Sequence, residues 1–466
     1  MNVADSERML GSLVPIGFAL TQSPEQADLI LLNTCNIREK ARHKFSSRLG
    51  VLRVLKNARP HLRIVVGGCV AQAEGESLLK EVPEIDIVMG PARLEELPRL
   101  LEERERAGHA IVARNQSSGC GHDHDHDHDH DHAHDHSPHS GEGSDEEIKP
   151  ASGPVEESDV FLPSVTGKEE VSRFVNIMQG CNNHCTFCVV PLTRGPERSR
   201  SEAEVLREVE TLVRGGAREI TLLGQNVNSY GLTSALSPEV EPPFARLLRR
   251  VAGVEGLKRL RFTTSNPHDF SPAVARLFGE MPELGRYMHL PLQSGSDRIL
   301  AAMKRKVTAS EYLERISWLR AIDPDFAVSS DIIVGFPGET EEDFLATLDI
   351  VRRVRFSFLF AFKYSSRRNT AAARFSDQIS EEVKEERLAR LNALQDQITE
   401  EQQRAQIGKV HEALFMYRTG RDGEMYVGKT ADFRQIRTRA GRDIIGQILP
   451  VRVTGGNKIS LNGDLE

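Results

Sequence analysis

The chain has 466 residues, 39% hydrophobic and 27% charged, with a formal net charge of −8 and six cysteines. That length suits about two to four domains with buried cores. No apolar run is long enough to span a bilayer, and the opening MNVADSERML lacks the basic-then-apolar layout of a secretory leader. The expected setting is the cytoplasm, with no membrane association. Thiols stay reduced there, so clustered cysteines hold metal or do chemistry more often than they form disulfides.

A helix is expected from Ala4 to Leu13. DLILLNTC (28–35), LRIVVGGC (62–69) and IDIVMG (85–90) read as strands, followed by helices over 38–58, 72–81 and 92–106. This alternation specifies a parallel, flavodoxin-like α/β sheet with ligands at the carboxyl ends of its strands. Cys35 and Cys69 both fall at such ends. They read either as ligands sharing one crevice or as buried structural thiols. A doubly wound domain normally begins with a strand, and none precedes the first helix, so the first strand reads as missing.

Residues 115–160 carry 13 acidic side chains against one lysine, and nine histidines lie between His122 and His139. With almost nothing apolar to offset the entropy of ordering, 115–166 reads as a disordered linker. It also accounts for the acidity of the chain, leaving the rest mildly basic. The histidine tract is either a binder of zinc, nickel or copper or a tolerated low-complexity insertion. Cys120, at its edge, reads as an ordinary exposed thiol.

Strands are expected at 173–180, 219–227, 259–265, 287–294, 326–338 and 356–364, with helices at 201–214, 243–252, 272–280, 309–320 and 340–353. Six parallel strands with helices outside make an open, partial (βα)6 barrel, whose active site belongs at the carboxyl ends of the strands. GCNNHCTFC (180–188) follows the first strand. Polar and glycine-rich turns at Gly224-Gln225-Asn226, Thr264-Ser265, Gln293-Ser294-Gly295 and Gly335–Gly338 follow four others. A charged helix over 380–406 leads to a β-rich segment broken by glycines, read as a small β-barrel. In it Phe415, Tyr417, Tyr426 and Phe433 interleave with Arg418, Lys429, Arg434, Arg437 and Arg439. Either aromatics stack on bases and cations meet phosphates, or the aromatics are core and the arginines are solvated.

Cys181, Cys185 and Cys188 supply three thiolates within eight residues, whereas structural zinc wants four ligands. A [4Fe–4S] cube held by three cysteines keeps one iron for a small molecule. C-x-x-x-C-x-x-C after the first barrel strand resembles the radical S-adenosylmethionine superfamily. NTCNIREKARHKFSSRLG (33–50), GGCVAQ (67–72), QGCNNHCTFCVVPLTRGPERSRS (179–201), LLGQNVNSYG (222–231), RFTTSNPHDF (261–270), MHLPLQSGSDRILAAMKRK (288–306) and SSDIIVGFPGETEEDF (329–344) resemble its methylthiotransferase family. NTCNIREKA and GQNVNSYG favour the branch acting on N6-dimethylallyladenosine in tRNA. The C-terminal piece is similar to an RNA-binding TRAM domain.

The resemblance implies four regions: a methylthiotransferase domain (1–114), the linker (115–166), the radical core (167–399) and the TRAM domain (400–466). It implies that a cluster on Cys181, Cys185 and Cys188 cleaves S-adenosylmethionine to a 5′-deoxyadenosyl radical. That radical takes hydrogen from adenine C2 beside the anticodon. A second, auxiliary [4Fe–4S] cluster in the N-terminal domain then supplies methylated sulfur. Phe187, Gly224, Gln225, Gln293, Ser294, Gly335 and Gly338 match cofactor-contacting positions, Cys35 and Cys69 match auxiliary ligands, and Arg434, Arg437 and Arg439 are RNA-binding candidates. Expected partners are tRNA, a flavodoxin- or ferredoxin-type electron donor and a sulfur donor, with the protein a monomer.

Two departures stand out. The family's first auxiliary cysteine lies in a G-C-Q-M-N stretch, and this chain begins at that Met-Asn, so translation is expected to start upstream. In YSSRRNTAAA (364–373), Arg368-Asn369 replaces a usual proline and glycine. The competing readings are a methylthiotransferase for threonylcarbamoyladenosine in tRNA, a non-catalytic RNA-binding module, and a metal buffer built on the histidine tract.

Overall fold

A computed structural model describes residues 2–21, 23–34, 39–115, 170–232, 241–420 and 423–466. Cys35, Cys120 and the histidine-rich linker lie outside the described residues.

The N-terminal region runs α1 (Asn2–Leu13), β1 (Leu29–Thr34), α2 (Glu39–Ala58), β2 (Arg63–Gly68), α3 (Cys69–Glu74), α4 (Glu76–Glu81), β3 (Ile87–Met89), α5 (Leu97–Ala107) and β4 (Ile111–Ala113). The four strands lie parallel, side by side in chain order, with β1 hydrogen-bonded directly to β2. Alternate residues of β2 feed opposite layers. Val65 meets Met9, Leu13 and Leu97 on one face, while Ile64 and Val66 meet Leu49, Leu52 and Leu78 on the other. A strand covered on both faces must be apolar throughout, as RIVVGG is. The helix expected over 72–81 starts earlier and breaks at Gly75, whose φ is +49°. A Cβ there would lie 2.8 Å from Arg114 Cδ.

The central region runs β5 (Ser172–Asn176), β6 (Met178–Gln179), α6 (Val190–Arg194), β7 (Arg198–Ser199), α7 (Glu202–Arg214), β8 (Glu219–Leu223), α8 (Pro243–Ala252), β9 (Arg259–Thr263), α9 (Pro272–Glu280), β10 (Tyr287–His289), α10 (Asp297–Ala302), α11 (Ala309–Ile322), β11 (Ala327–Val334), α12 (Glu341–Val354) and β12 (Phe358–Lys363). Capping boxes start three of its helices, with Ser201/Glu204, Thr308/Glu311 and Thr340/Asp343 satisfying the first free N–H groups. The six parallel strands form two triplets, β5-β8-β9 and β10-β11-β12, linked by a lone bridge between Leu260 and Leu284. Val175, Ile220, Leu222, Leu260 and Phe262 face the helices, where Phe244 meets Phe262 edge-on at 5.1 Å. Residues of the other parity face the concave side.

α13 (Glu381–Arg404) leads to β13 (Val410–Thr419), β14 (Met425–Thr430), β15 (Gln435–Arg439), β16 (Ile448–Gly456) and β17 (Ser460–Leu465), a closed barrel in the order β13-β14-β15-β17-β16. This small barrel stoppers the floor of the larger one. Arg259 donates to the Lys429 carbonyl (2.6 Å), and Arg261 donates to those of Thr430 (2.8 Å) and Ala431 (3.0 Å). Arg261 also pairs with Glu219 at 2.8 Å, both buried. The Phe433 ring stacks on Tyr287 at 4.5 Å, beneath the Lys429 ammonium.

Candidate active site

The three-cysteine loop spans 180–197, between β6 and β7, which pair antiparallel through Met178–Ser199 and Gln179–Arg198. Its base is pinched. Gly180 has φ +81°, and a Cβ there would lie 2.0 Å from the Pro196 oxygen, so a side chain is excluded. Its tip is strapped on two sides. Thr186 donates through its N–H to Met303 O (3.1 Å) and through its hydroxyl to Ala302 O (3.0 Å). It accepts from Ala372 N (2.9 Å). Ala372 belongs to the departing stretch 364–373. There Asn369 holds φ +69°, a left-handed conformation that asparagine tolerates better than most side chains, so the usual glycine is dispensable.

Each thiol faces at least one donor. Asn183 N lies 3.4 Å from Cys181 Sγ, Val190 N 3.4 Å from Cys188 Sγ, and Arg305 Nη1 3.7 Å from Cys185 Sγ. Arg305 is anchored by Pro291 O at 2.6 Å. Burial pushes the Cys181 thiol up, and the Cys188 thiol up to about 12, with the N–H donors opposing. Half-buried sulfurs with donors aimed at them are suited to binding a cation as thiolates, and iron would supply one. Among the described residues, no three of His, Cys, Asp and Glu converge as a single ion requires. Three thiols carried within eight residues are the donor chemistry that a cluster would take, with one iron left for a small molecule. The donor set therefore fits a [4Fe–4S] cluster.

Phe187 packs in a cluster with Ile299, Met303, Phe336 and Tyr364. Gly224 closes the end of β8, exchanging backbone hydrogen bonds with Thr263 (3.0 Å) and Thr264 (3.2 Å), and Gln225 follows it at the rim. A Cβ on Gly224 would lie 2.5 Å from Met178 Cγ, so Gly224→Ala should overpack the cluster loop and cost about 1–3 kcal/mol. Thermal unfolding measures it. Gln293 sits at φ +85°, its backbone bonded to Asp331 and Ile333. Ser294 is fully buried, its hydroxyl occupied by Thr347 and by the Ser296 N–H, so it shapes the turn. Gly335 and Gly338 both have positive φ. Their N–H groups go to Glu339 Oε2 (2.7 Å) and Asp377 O (2.8 Å).

Further residues join the site, Ser265 from an expected rim turn and others that carried no individual role in the sequence. The Ser265 hydroxyl and the Asn228 side-chain amide are buried at the rim without a hydrogen-bond partner, which suits a polar ligand. On the concave face Tyr287 Oη and His289 Nδ1 share the Ser329 hydroxyl (2.6 and 2.8 Å), and His289 Nε2 lies 3.5 Å from Asp331. Their signal was the polar–apolar–polar alternation in YMH and the polar run SSD inside otherwise apolar strands. Phe174 on β5 and Phe360 on β12 flank the open side, 38% and 44% exposed.

The three C-terminal arginines separate. Arg437 and Arg439 are exposed. Arg434 is not available to a phosphate. It is 6% exposed, paired with Asp432 at 2.7 Å and bonded to Gln403 at 3.0 Å, because it ties the small barrel to α13. Phe415 and Tyr426 are core, whereas Tyr417 is exposed. No helix among the described residues is long and apolar enough to cross a membrane.

Residues 175–351 match the radical SAM superfamily, and residues 1–90 match the uncharacterized protein family UPF0004. The tRNA-2-methylthio-N(6)-dimethylallyladenosine synthase of Geotalea uraniireducens (strain Rf4) is 42% identical over 465 residues, covering 100% of this chain and 96% of the relative. The synthase of that name from Pelobacter propionicus matches with the same identity and coverage. Among solved structures, the radical S-adenosylmethionine methyltransferase TsrM from Kitasatospora setae is similar in fold. Its TM-score is 0.52 at 16% identity, over 79% of this chain and 74% of that one. Superfamily membership brings with it a [4Fe–4S] cluster and S-adenosylmethionine. A rim loop of three cysteines, an open six-stranded barrel and full-length similarity together place the chain in the tRNA-2-methylthio-N6-dimethylallyladenosine synthase family of radical SAM enzymes.

Proposed function

We propose that this enzyme methylthiolates C2 of N6-dimethylallyladenosine next to the anticodon of tRNA. The observation that carries the reading is the loop of three cysteines, each met by a donor, at the mouth of an open barrel. Cys181, Cys185 and Cys188 hold the cluster, which when bound supplies the electron that cleaves S-adenosylmethionine. Phe187, Gly224, Gln225, Gln293, Gly335 and Gly338 form the cofactor walls, with Ser294 fixing the turn. Ser265 and Asn228 offer it hydrogen bonds. Phe174 and Phe360 stack the target base, and stacking of this kind is worth about 1–3 kcal/mol per base.

Cys69 and Cys35 are read as auxiliary-cluster ligands near the sulfur that is transferred. A flavodoxin- or ferredoxin-type protein supplies electrons and a separate donor renews the sulfur. The chain works as a monomer in the cytoplasm.

The test is nucleoside mass spectrometry of tRNA from a deletion strain, before and after complementation. Restoration of a methylthio group on isopentenyladenosine is expected. Its appearance only on threonylcarbamoyladenosine, or nowhere, overturns the reading.

Arg437→Ala and Arg439→Ala should each weaken tRNA binding at all sequences and lower the salt slope by about 1. Arg434→Ala should instead lower the melting temperature, because it strands Asp432. Filter binding across a salt series and thermal melts distinguish the two outcomes.

A further inference from the structure

Two short helices begin beside cysteines of different domains. α3 starts at Cys69 itself, and α6 starts two residues after Cys188. They pack against each other. The Asn115 side-chain amide donates to Thr193 O at 3.1 Å, while its backbone N–H donates to Gln72 on α3 at 2.8 Å.

The last residue of α6, Arg194, crosses the boundary. Its Nη2 lies 2.8 Å from Asp5 Oδ2 on α1, and both side chains are buried. Asn176, at the end of β5, adds a 3.4 Å bond to the same carboxylate. The guanidinium also has the buried Cys69 thiol for a neighbour, brought there by the packing of α6 on α3. One barrel side chain thus meets both a carboxylate and a cysteine of the N-terminal domain. Docking needs only the carboxylate. The second contact sets the same planar fork of donors beside a sulfur, a fixed geometry that the compact ammonium of a lysine does not reproduce. A helix of five residues spans only about 7.5 Å. It forms a stiff strut from the radical loop to the Cys69 neighbourhood, and reacting partners gain most when held in contact geometry.

We propose that Arg194 is a positioning residue for the sulfur-donor site, clamping the N-terminal domain to the cluster loop through Asp5 and holding the Cys69 sulfur toward the barrel rim. The proposal rests on the reading of Cys69 as part of that site.

The test uses the full chain, anaerobically reconstituted, with Arg194→Gln, Arg194→Lys and Asp5→Asn. Amide hydrogen exchange reads the clamp. Methylthiolated nucleoside formed per 5′-deoxyadenosine reads the positioning. Arg194→Gln should speed exchange in α3 and α6 by about tenfold or more while leaving β14 and β15 unchanged. Asp5→Asn should do the same. Arg194→Lys should keep near-native exchange, yet lower the product ratio by about tenfold, as a misplaced group does. Native exchange in Arg194→Gln overturns the clamp. A native product ratio in Arg194→Lys overturns the positioning role. A Cys69→Ala chain that keeps the parent's product ratio defeats the reading of Cys69, and with it the positioning role, while the exchange data still decide the clamp.

Discussion

Cys188→Ala is expected to abolish iron loading at the barrel loop and to reduce 5′-deoxyadenosine formation to background, with the fold intact. The cube needs three protein thiolates, and the described loop has no spare. His184 is exposed rather than turned into the site, and the Thr186 straps hold the loop where it is. The structural cost should be small, about 1 kcal/mol, because one sulfur atom is lost from a loop held by its backbone. Iron analysis, visible absorption and a thermal melt check the three parts separately. Full iron content in the variant would show that the loop is not the cluster site. Arg305→Gln, by contrast, should load iron but shift the cluster spectrum, since it removes the donor beside Cys185.

Arg261→Ala should destabilise the protein by about 3–5 kcal/mol, because it leaves the Glu219 carboxylate buried without its partner. It also removes two hydrogen bonds to the C-terminal barrel, at Thr430 and Ala431, so the small barrel should loosen first. Limited proteolysis around α13, together with calorimetry, tests this. A pH dependence follows. Burial raises the Glu219 carboxyl, but Arg261 more than offsets it, so the group sits below its usual range. Asp432 is likewise held low by Arg434 against its burial. A carboxyl depressed in the folded state contributes stability above its unfolded pKa and loses it as pH falls through the lower folded value. Undocking of the small barrel should therefore precede barrel unfolding in an acid titration. Glu219→Gln should flatten that profile.

Much of the architecture was legible because periodicity reports it directly. Apolar runs ending in turns marked β1, β2, β8 and β11, and polar rim turns marked the site. The strand expected at 173–180 divides into β5 and the two-residue β6, and the two-residue β7 and the short β4 went unread. Gly75 broke a helix that composition alone would have carried through. Arg434 read as an RNA contact because a sequence displays charge but not burial. The floor contacts were invisible for a related reason, as they join residues about 170 positions apart. Cys181, Cys185 and Cys188 stood out through spacing, whereas Arg194 and Arg305 act only through where the chain folds them.

The plugged floor has a geometric corollary. Catalysis belongs at one end of the large barrel and the small barrel closes the other, so the strands between them, five residues in β8 and eight in β11, set an upper limit of roughly 17–26 Å on their separation. A lone nucleoside cannot bridge that gap. An RNA gripped by Arg437 and Arg439 while presenting a base at the mouth must lie along the outside of the barrel like a limb in a caliper. An enzyme gripping RNA in that way would measure how far its target protrudes from a folded body, and short fragments with the correct sequence would be poor substrates for want of reach.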